Sequence, residues 1–97
     1  MIRHVALFTW DDEMTDEMER QFAAELTALA PKLAGLQSYH AGPDVGLVEG
    51  NFDFAVVADF DDAASYAGYR DHPEHQAIVG RFSRPRARTR AAVQYEV

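Results

Sequence analysis

Residues 2–10, Ile-Arg-His-Val-Ala-Leu-Phe-Thr-Trp, alternate with a period of two. Ile2, His4, Ala6, Phe8 and Trp10 share one face, and Arg3, Val5, Leu7 and Thr9 share the other. Both faces are largely apolar. A strand with one wet face carries a polar residue at every second position, so this strand has to be covered on both sides. Residues 52–60 repeat the demand, with Phe52, Phe54, Val56, Ala58 and Phe60 against Asp53, Ala55, Val57 and Asp59. Three phenylalanines on one face predict an aromatic layer deep in the core.

The remaining elements follow from punctuation. Thr15 is an N-cap, with Asp16 and Glu17 in the first helical turn, where negative charge suits the helix dipole. Met18, Phe22, Leu26, Leu29 and Leu33 recur at helical spacing as a core-facing stripe. Pro31 ends that helix near residue 30, and Gly35 suits a left-handed exit. Leu36 to His40 read as a short strand, and residues 41–51 as a glycine-rich connection without phosphate-loop spacing. Asp61 or Asp62 caps a helix over the following residues, and Pro85 precedes a last alternating run from Arg86 to Val97. The order strand, helix, strand, strand, helix, strand is the ferredoxin-like α+β arrangement, β-α-β-β-α-β, in one domain over residues 1–97. Its helices cover one sheet face. A second copy of the same sheet is the simplest cover for the other, which predicts a homodimer.

Composition removes several function classes. A net charge of −7 argues against general nucleic-acid binding, and no run approaches the roughly 18 apolar residues that span a membrane. With no cysteine there is neither a disulfide framework nor thiol chemistry. The N-terminal residues lack the long apolar core of a secretory signal, so a soluble, cytoplasmic protein is expected. No zinc-ligand spacing is present, and neither a metal nor a cofactor is expected. The charge is uneven, with acidic residues clustered over 11–19 and arginines at 81, 84, 86, 88 and 90. Such a row either draws in an anionic substrate or, more commonly, protects a strand edge and pairs with acidic groups.

The chemistry-bearing residues concentrate in Tyr69-Arg70-Asp71-His72-Pro73-Glu74-His75. Proline suits the first position of a helix, so one helix ends near Tyr69 or Arg70, the chain breaks at Asp71 and His72, and a second helix runs from Pro73 to about Phe82. His75 falls in the first turn, where the helix dipole favours a neutral imidazole able to accept a proton. Tyr69 is a phenol able to donate to a developing oxyanion. The plainer alternative is a turn that joins two helices, with Asp71 or His72 as its cap. His4, taken alone, reads as a core histidine with satisfied ring nitrogens.

Arg-His-Val-Ala-Leu-Phe at 3–8, Phe-Asp-Phe-Ala-Val-Val-Ala-Asp-Phe at 52–60 and Tyr-Arg-Asp-His-Pro-Glu-His at 69–75 together resemble the stress-responsive A/B barrel domain family, over nearly the whole chain. The resemblance implies a dimer whose two sheets close into an α+β barrel. A characterised polyketide cyclase of that family works by aldol chemistry without a cofactor, and its catalytic histidine and tyrosine correspond to His75 and Tyr69. Its strand-one histidine corresponds to His4. A histidine and a tyrosine of its pocket are replaced by Phe54 and Leu26, which implies a more apolar pocket lined by Phe8, Leu26 and Phe54 and a small apolar or aromatic ligand. Three functions are then in play: a cofactor-free aldol-type cyclase or lyase with His75 as base, Tyr69 as oxyanion donor and His4 as a substrate-positioning group; a non-catalytic stress-response or ligand-binding dimer; and a cofactor-independent monooxygenase using a histidine and Trp10.

Overall fold

The computed structural model describes residues 1–97. Four strands, β1 (Ile2–Trp10), β2 (Leu36–Pro43), β3 (Phe54–Phe60) and β4 (Ala87–Glu96), form one antiparallel sheet in the order β2-β3-β1-β4. The helices are α1 (Asp16–Leu29), α2 (Ala63–Asp71) and α3 (Pro73–Arg81), with a 3₁₀ turn at Ala30–Lys32. This is the ferredoxin-like α+β fold, with β1 as a central strand.

Local signals set the helix boundaries. Thr15 Oγ1 accepts from the Met18 amide at 3.1 Å, and Asp62 Oδ1 accepts from the Ser65 amide at 2.8 Å. Pro31 tightens the end of α1 into the 3₁₀ turn, and Gly35 leaves it at φ +78°.

The even-numbered side chains of β1 and β3 face the helices. Ala6, Phe8, Trp10, Phe54 and Val56 pack against Phe22, Leu26 and Leu29 of α1 and Ile78 and Phe82 of the α3 end. A second, smaller cluster joins Ala58 and Phe60 to Tyr69, with Tyr39 and Tyr66 packed against it. The odd-numbered face bears no helix. There Arg3 is paired with Asp59 at 2.8 Å, and Val93 and Tyr95 of β4 stand 53 % and 46 % exposed.

Two strand boundaries differ from expectation. β2 continues three residues past His40, paired with β3 as far as Pro43 opposite Phe54. β3 begins at Phe54 rather than Phe52. The Asp53 amide still donates to the Phe8 carbonyl, and its carbonyl accepts from the Asp44 amide. The Trp10 amide, however, donates to the Asp53 carboxylate at 2.8 Å in place of a backbone carbonyl, and the regular pairing ends there. Phe52 is consequently exposed, and the aromatic layer holds two phenylalanines of β3, Phe54 and Phe60, instead of three.

Candidate functional site

The turn between α2 and α3 is built on His72 alone, since Asp71 is the last residue of α2. The His72 amide donates to the Tyr69 carbonyl at 3.2 Å, and its Nδ1 accepts from the Glu74 amide at 3.1 Å. Pro73 occupies the first position of α3, where no amide donor is needed. The tight reversal brings His75 back over Tyr69, with ring centroids 4.1 Å apart. His75 Nδ1 lies 3.1 Å from the Arg70 carbonyl. A carbonyl only accepts, so Nδ1 carries the proton and the neutral ring keeps its lone pair on Nε2. No protein group bonds to Nε2.

Tyr69 and His75 line a cavity of about 290 Å³ together with His4, Phe8 and Leu26. The cavity lies at the seam of the two core clusters: Ala6, Phe8, Phe22, Leu26 and Val56 come from one, Tyr66 and Tyr69 from the other. Its floor is therefore apolar. Five of the six residues singled out from sequence converge here. The sixth, Phe54, does not: it is buried behind the wall, with its ring 5.2 Å from that of Phe22. Val56, two residues on and on the same face of β3, is that strand's wall residue.

The charge states follow from the surroundings. Burial, with the nearby Arg90 and His75, pushes His4 down to about 4. Burial also lowers His75, opposed by its bond to the Arg70 carbonyl and reinforced by Arg84, Arg90 and His72. Burial raises the Tyr69 phenol to about 12, while Tyr39 and Arg90 pull the other way. At neutral pH the site thus presents two uncharged imidazoles and an uncharged phenol. Gln94 Nε2 donates to His4 Nδ1 at 2.8 Å, which puts the His4 proton on Nε2. The two histidines therefore hold opposite tautomers, one offering a donor and the other an acceptor.

Tyr39, Tyr66 and Gln94 were not singled out from sequence, and Arg84 and Arg90 only as members of the arginine row. The Tyr39 hydroxyl lies 3.0 Å from that of Tyr69 across the β2 side of the core. Its part depends on the pairing of Tyr39 with Ala58, which no local pattern encodes. Tyr66 was findable, because it lies three residues before Tyr69 on the same helix face. Trp10, by contrast, is a core residue: its ring stacks on Phe8 and its Nε1 donates to Glu19 at 2.8 Å.

The arginine row divides. Arg86 pairs with Asp11 and Glu13, and Arg88 with Asp12. Arg90, opposite Phe8 on the helix-facing side, lines the cavity. No three His, Asp or Glu side chains are placed to hold one metal ion, and no helix is long and apolar enough to cross a membrane.

A family model described as the stress responsive A/B barrel domain matches residues 2–97. A dimeric ferredoxin-like protein of unknown function from Thermobifida fusca is 41% identical, with a TM-score of 0.91 over 99% of this chain and 90% of that one. A ferredoxin-like protein of the same family from Mesorhizobium loti is 23% identical, with a TM-score of 0.77 over 99% and 95% of the two chains. The hydroxynitrile lyase of Passiflora edulis shares the fold, at 16% identity and a TM-score of 0.82 over 99% and 92%. No curated protein matches the sequence.

Proposed function

The chain belongs to the stress responsive A/B barrel domain family, and from that premise we propose that it is a homodimeric, cofactor-free lyase or aldol-type cyclase acting on a small apolar or aromatic carbonyl compound. The observation that carries the reading is the unpartnered Nε2 of a neutral His75 beside a protonated Tyr69 in an apolar-floored cavity. In the aldol direction His75 Nε2 takes a proton from the carbon next to a carbonyl, that carbon bonds to a second carbonyl carbon, and the proton returns to the alkoxide so formed. In the lyase direction Nε2 takes the hydroxyl proton as the neighbouring carbon–carbon bond breaks, the hydroxyl carbon becomes a carbonyl, and the departing carbon leaves with the electron pair and takes the proton back. Tyr69 donates to the oxygen on which negative charge develops in the aldol direction, with Tyr39 behind it. The His4 Nε2–H positions a substrate oxygen. A hydroxynitrile lyase on the same fold supports the reaction class, since the scaffold accommodates carbon–carbon lyase chemistry.

The dimer rests on the helix-free sheet face, where Val5, Leu7, Val57, Ala91 and Val93 lie together in the strand register. An apolar face of this kind needs a cover. The Thermobifida protein, 41% identical, is described as dimeric.

The test is turnover of aromatic cyanohydrins and aromatic β-keto esters by wild type, His75→Ala and Tyr69→Phe. Loss of a general base costs roughly 10²–10⁴-fold in rate and loss of an oxyanion donor about 10²-fold. Undiminished turnover in His75→Ala sinks the proposal. Absence of turnover in wild type, with His75→Ala lowering only the melting temperature, favours the non-catalytic dimer.

A further inference from the structure

We propose that the cavity takes a small aromatic or apolar molecule bearing one carboxylate, which Arg90 receives at the rim. This deepens the function proposed above and rests on the same cavity being a ligand site.

Almost every positive charge of the chain is neutralised within it. The chain has nine Lys and Arg residues against sixteen Asp and Glu. Arg3, Arg20, Lys32, Arg70, Arg81, Arg86 and Arg88 are each ion-paired with a carboxylate of the same chain. Only Arg84 and Arg90 are left over, and both line this cavity. Arg84 is held by the Gln76 carboxamide, and Arg90 has no side-chain partner. In a chain so rich in acid, two unpaired guanidinium groups at one opening are a local reversal of the overall charge.

The lining makes the reversal complete. None of the sixteen residues around the cavity is Asp or Glu. The exposed members are Arg70, Arg84 and Arg90, and the fully buried ones include Ala6, Phe8, Phe22, Leu26 and Val56. A positive rim over an apolar floor fits a molecule with one anionic end. Positive rims of this kind also concentrate anions that the net charge of −7 would otherwise repel. At about 290 Å³ the cavity is roughly twice the ~150 Å³ apolar hole that takes up benzene. One substituted ring or a short branched chain fits.

Arg90 also stands close enough to both histidines to help keep them uncharged. A carboxylate at Arg90 therefore lies within reach of the proton-transfer groups and places the apolar body of the ligand over His75 and Tyr69.

The experiment compares dissociation constants of benzoate, benzamide and phenyl phosphate for the full-length protein at pH 7, in wild type, Arg90→Gln and Arg90→Lys. Wild type should bind benzoate about two- to fivefold more tightly than benzamide, as expected for a partly exposed ion pair. Arg90→Gln should abolish that preference and leave benzamide unchanged, and Arg90→Lys should keep part of it. The preference should also shrink as salt rises. Benzamide binding with no gain for benzoate overturns the inference and leaves the proposed catalysis standing. Phenyl phosphate preferred with no gain for benzoate replaces the carboxylate by a phosphate. Binding of no probe overturns both the inference and the ligand site beneath it. An intact benzoate preference beside a fully active His75→Ala sinks the catalytic proposal alone.

Discussion

His4 sits on the central strand with 3 % of its surface exposed, held by Gln94 through Nδ1. Its imidazole is pushed down to about 4 from 6.5, first by burial and then by Arg90 and His75. The sign of the consequence is fixed. Between about pH 6.5 and pH 4 the unfolded chain binds a proton at His4 and the folded chain does not, so stability falls as pH falls through that window. Above pH 6.5 His4 costs nothing. Below pH 4 the loss is complete, on the order of 3 kcal/mol for the gap between about 4 and 6.5. Carboxylates titrate nearby in pH, so the informative quantity is the difference between wild type and His4→Gln in urea unfolding from pH 7 to pH 4. That difference should change by about 3 kcal/mol in favour of the variant at the acid end. A difference independent of pH would show that His4 titrates normally in the fold.

At the scale of elements, the entry into β2 is the most constrained connection. Gly35 has φ +78°, and a Cβ built on it would lie 2.0 Å from Ser65 Oγ. Ser65 cannot step aside freely, because its amide and hydroxyl both bond the capping carboxylate of Asp62. Gly35→Ala therefore combines left-handed strain of about 1–2 kcal/mol with disturbance of a cap worth about 0.5–2 kcal/mol. A loss of at least about 1.5 kcal/mol should lower the melting temperature by at least about 6 °C for a chain of this size. A shift of a degree or two would mean that the α2 start yields easily. The same connection shows what sequence reveals. Gly35, Pro31, Thr15 and Pro73 act on their immediate neighbours, and each was legible from its type and place. The end of β2 and the start of β3 were not, because both are settled by partners distant in sequence: Pro43 by Phe54, and Asp53 by the Trp10 amide. The site divides in the same way. Tyr69 and His75 are joined by a local turn and could be read together. Tyr39 and Gln94 reach the site through strand pairing and could not.

For the whole molecule, the demand for cover on both faces of β1 is only half met within one chain. Helices bury His4, Ala6, Phe8 and Trp10, and the opposite face keeps Val93 and Tyr95 about half exposed. Val93→Asp would place a charge within the proposed sheet-to-sheet contact, opposite Val5, while touching nothing in the helix-side core. Sedimentation should find wild type as a dimer and this variant as a folded monomer, whereas a monomeric wild type would remove the second sheet from the account. The proposed dimer would give the fold its cover, but the functional reading stands on one atom, the bare Nε2 of His75. The ¹⁵N chemical shifts of the His75 ring, followed from pH 5 to pH 8, test it most directly. The account predicts a neutral ring at pH 7 with the proton on Nδ1, a lone pair on Nε2 and a midpoint below 6.5. A ring charged at pH 7, or a proton on Nε2, would contradict it.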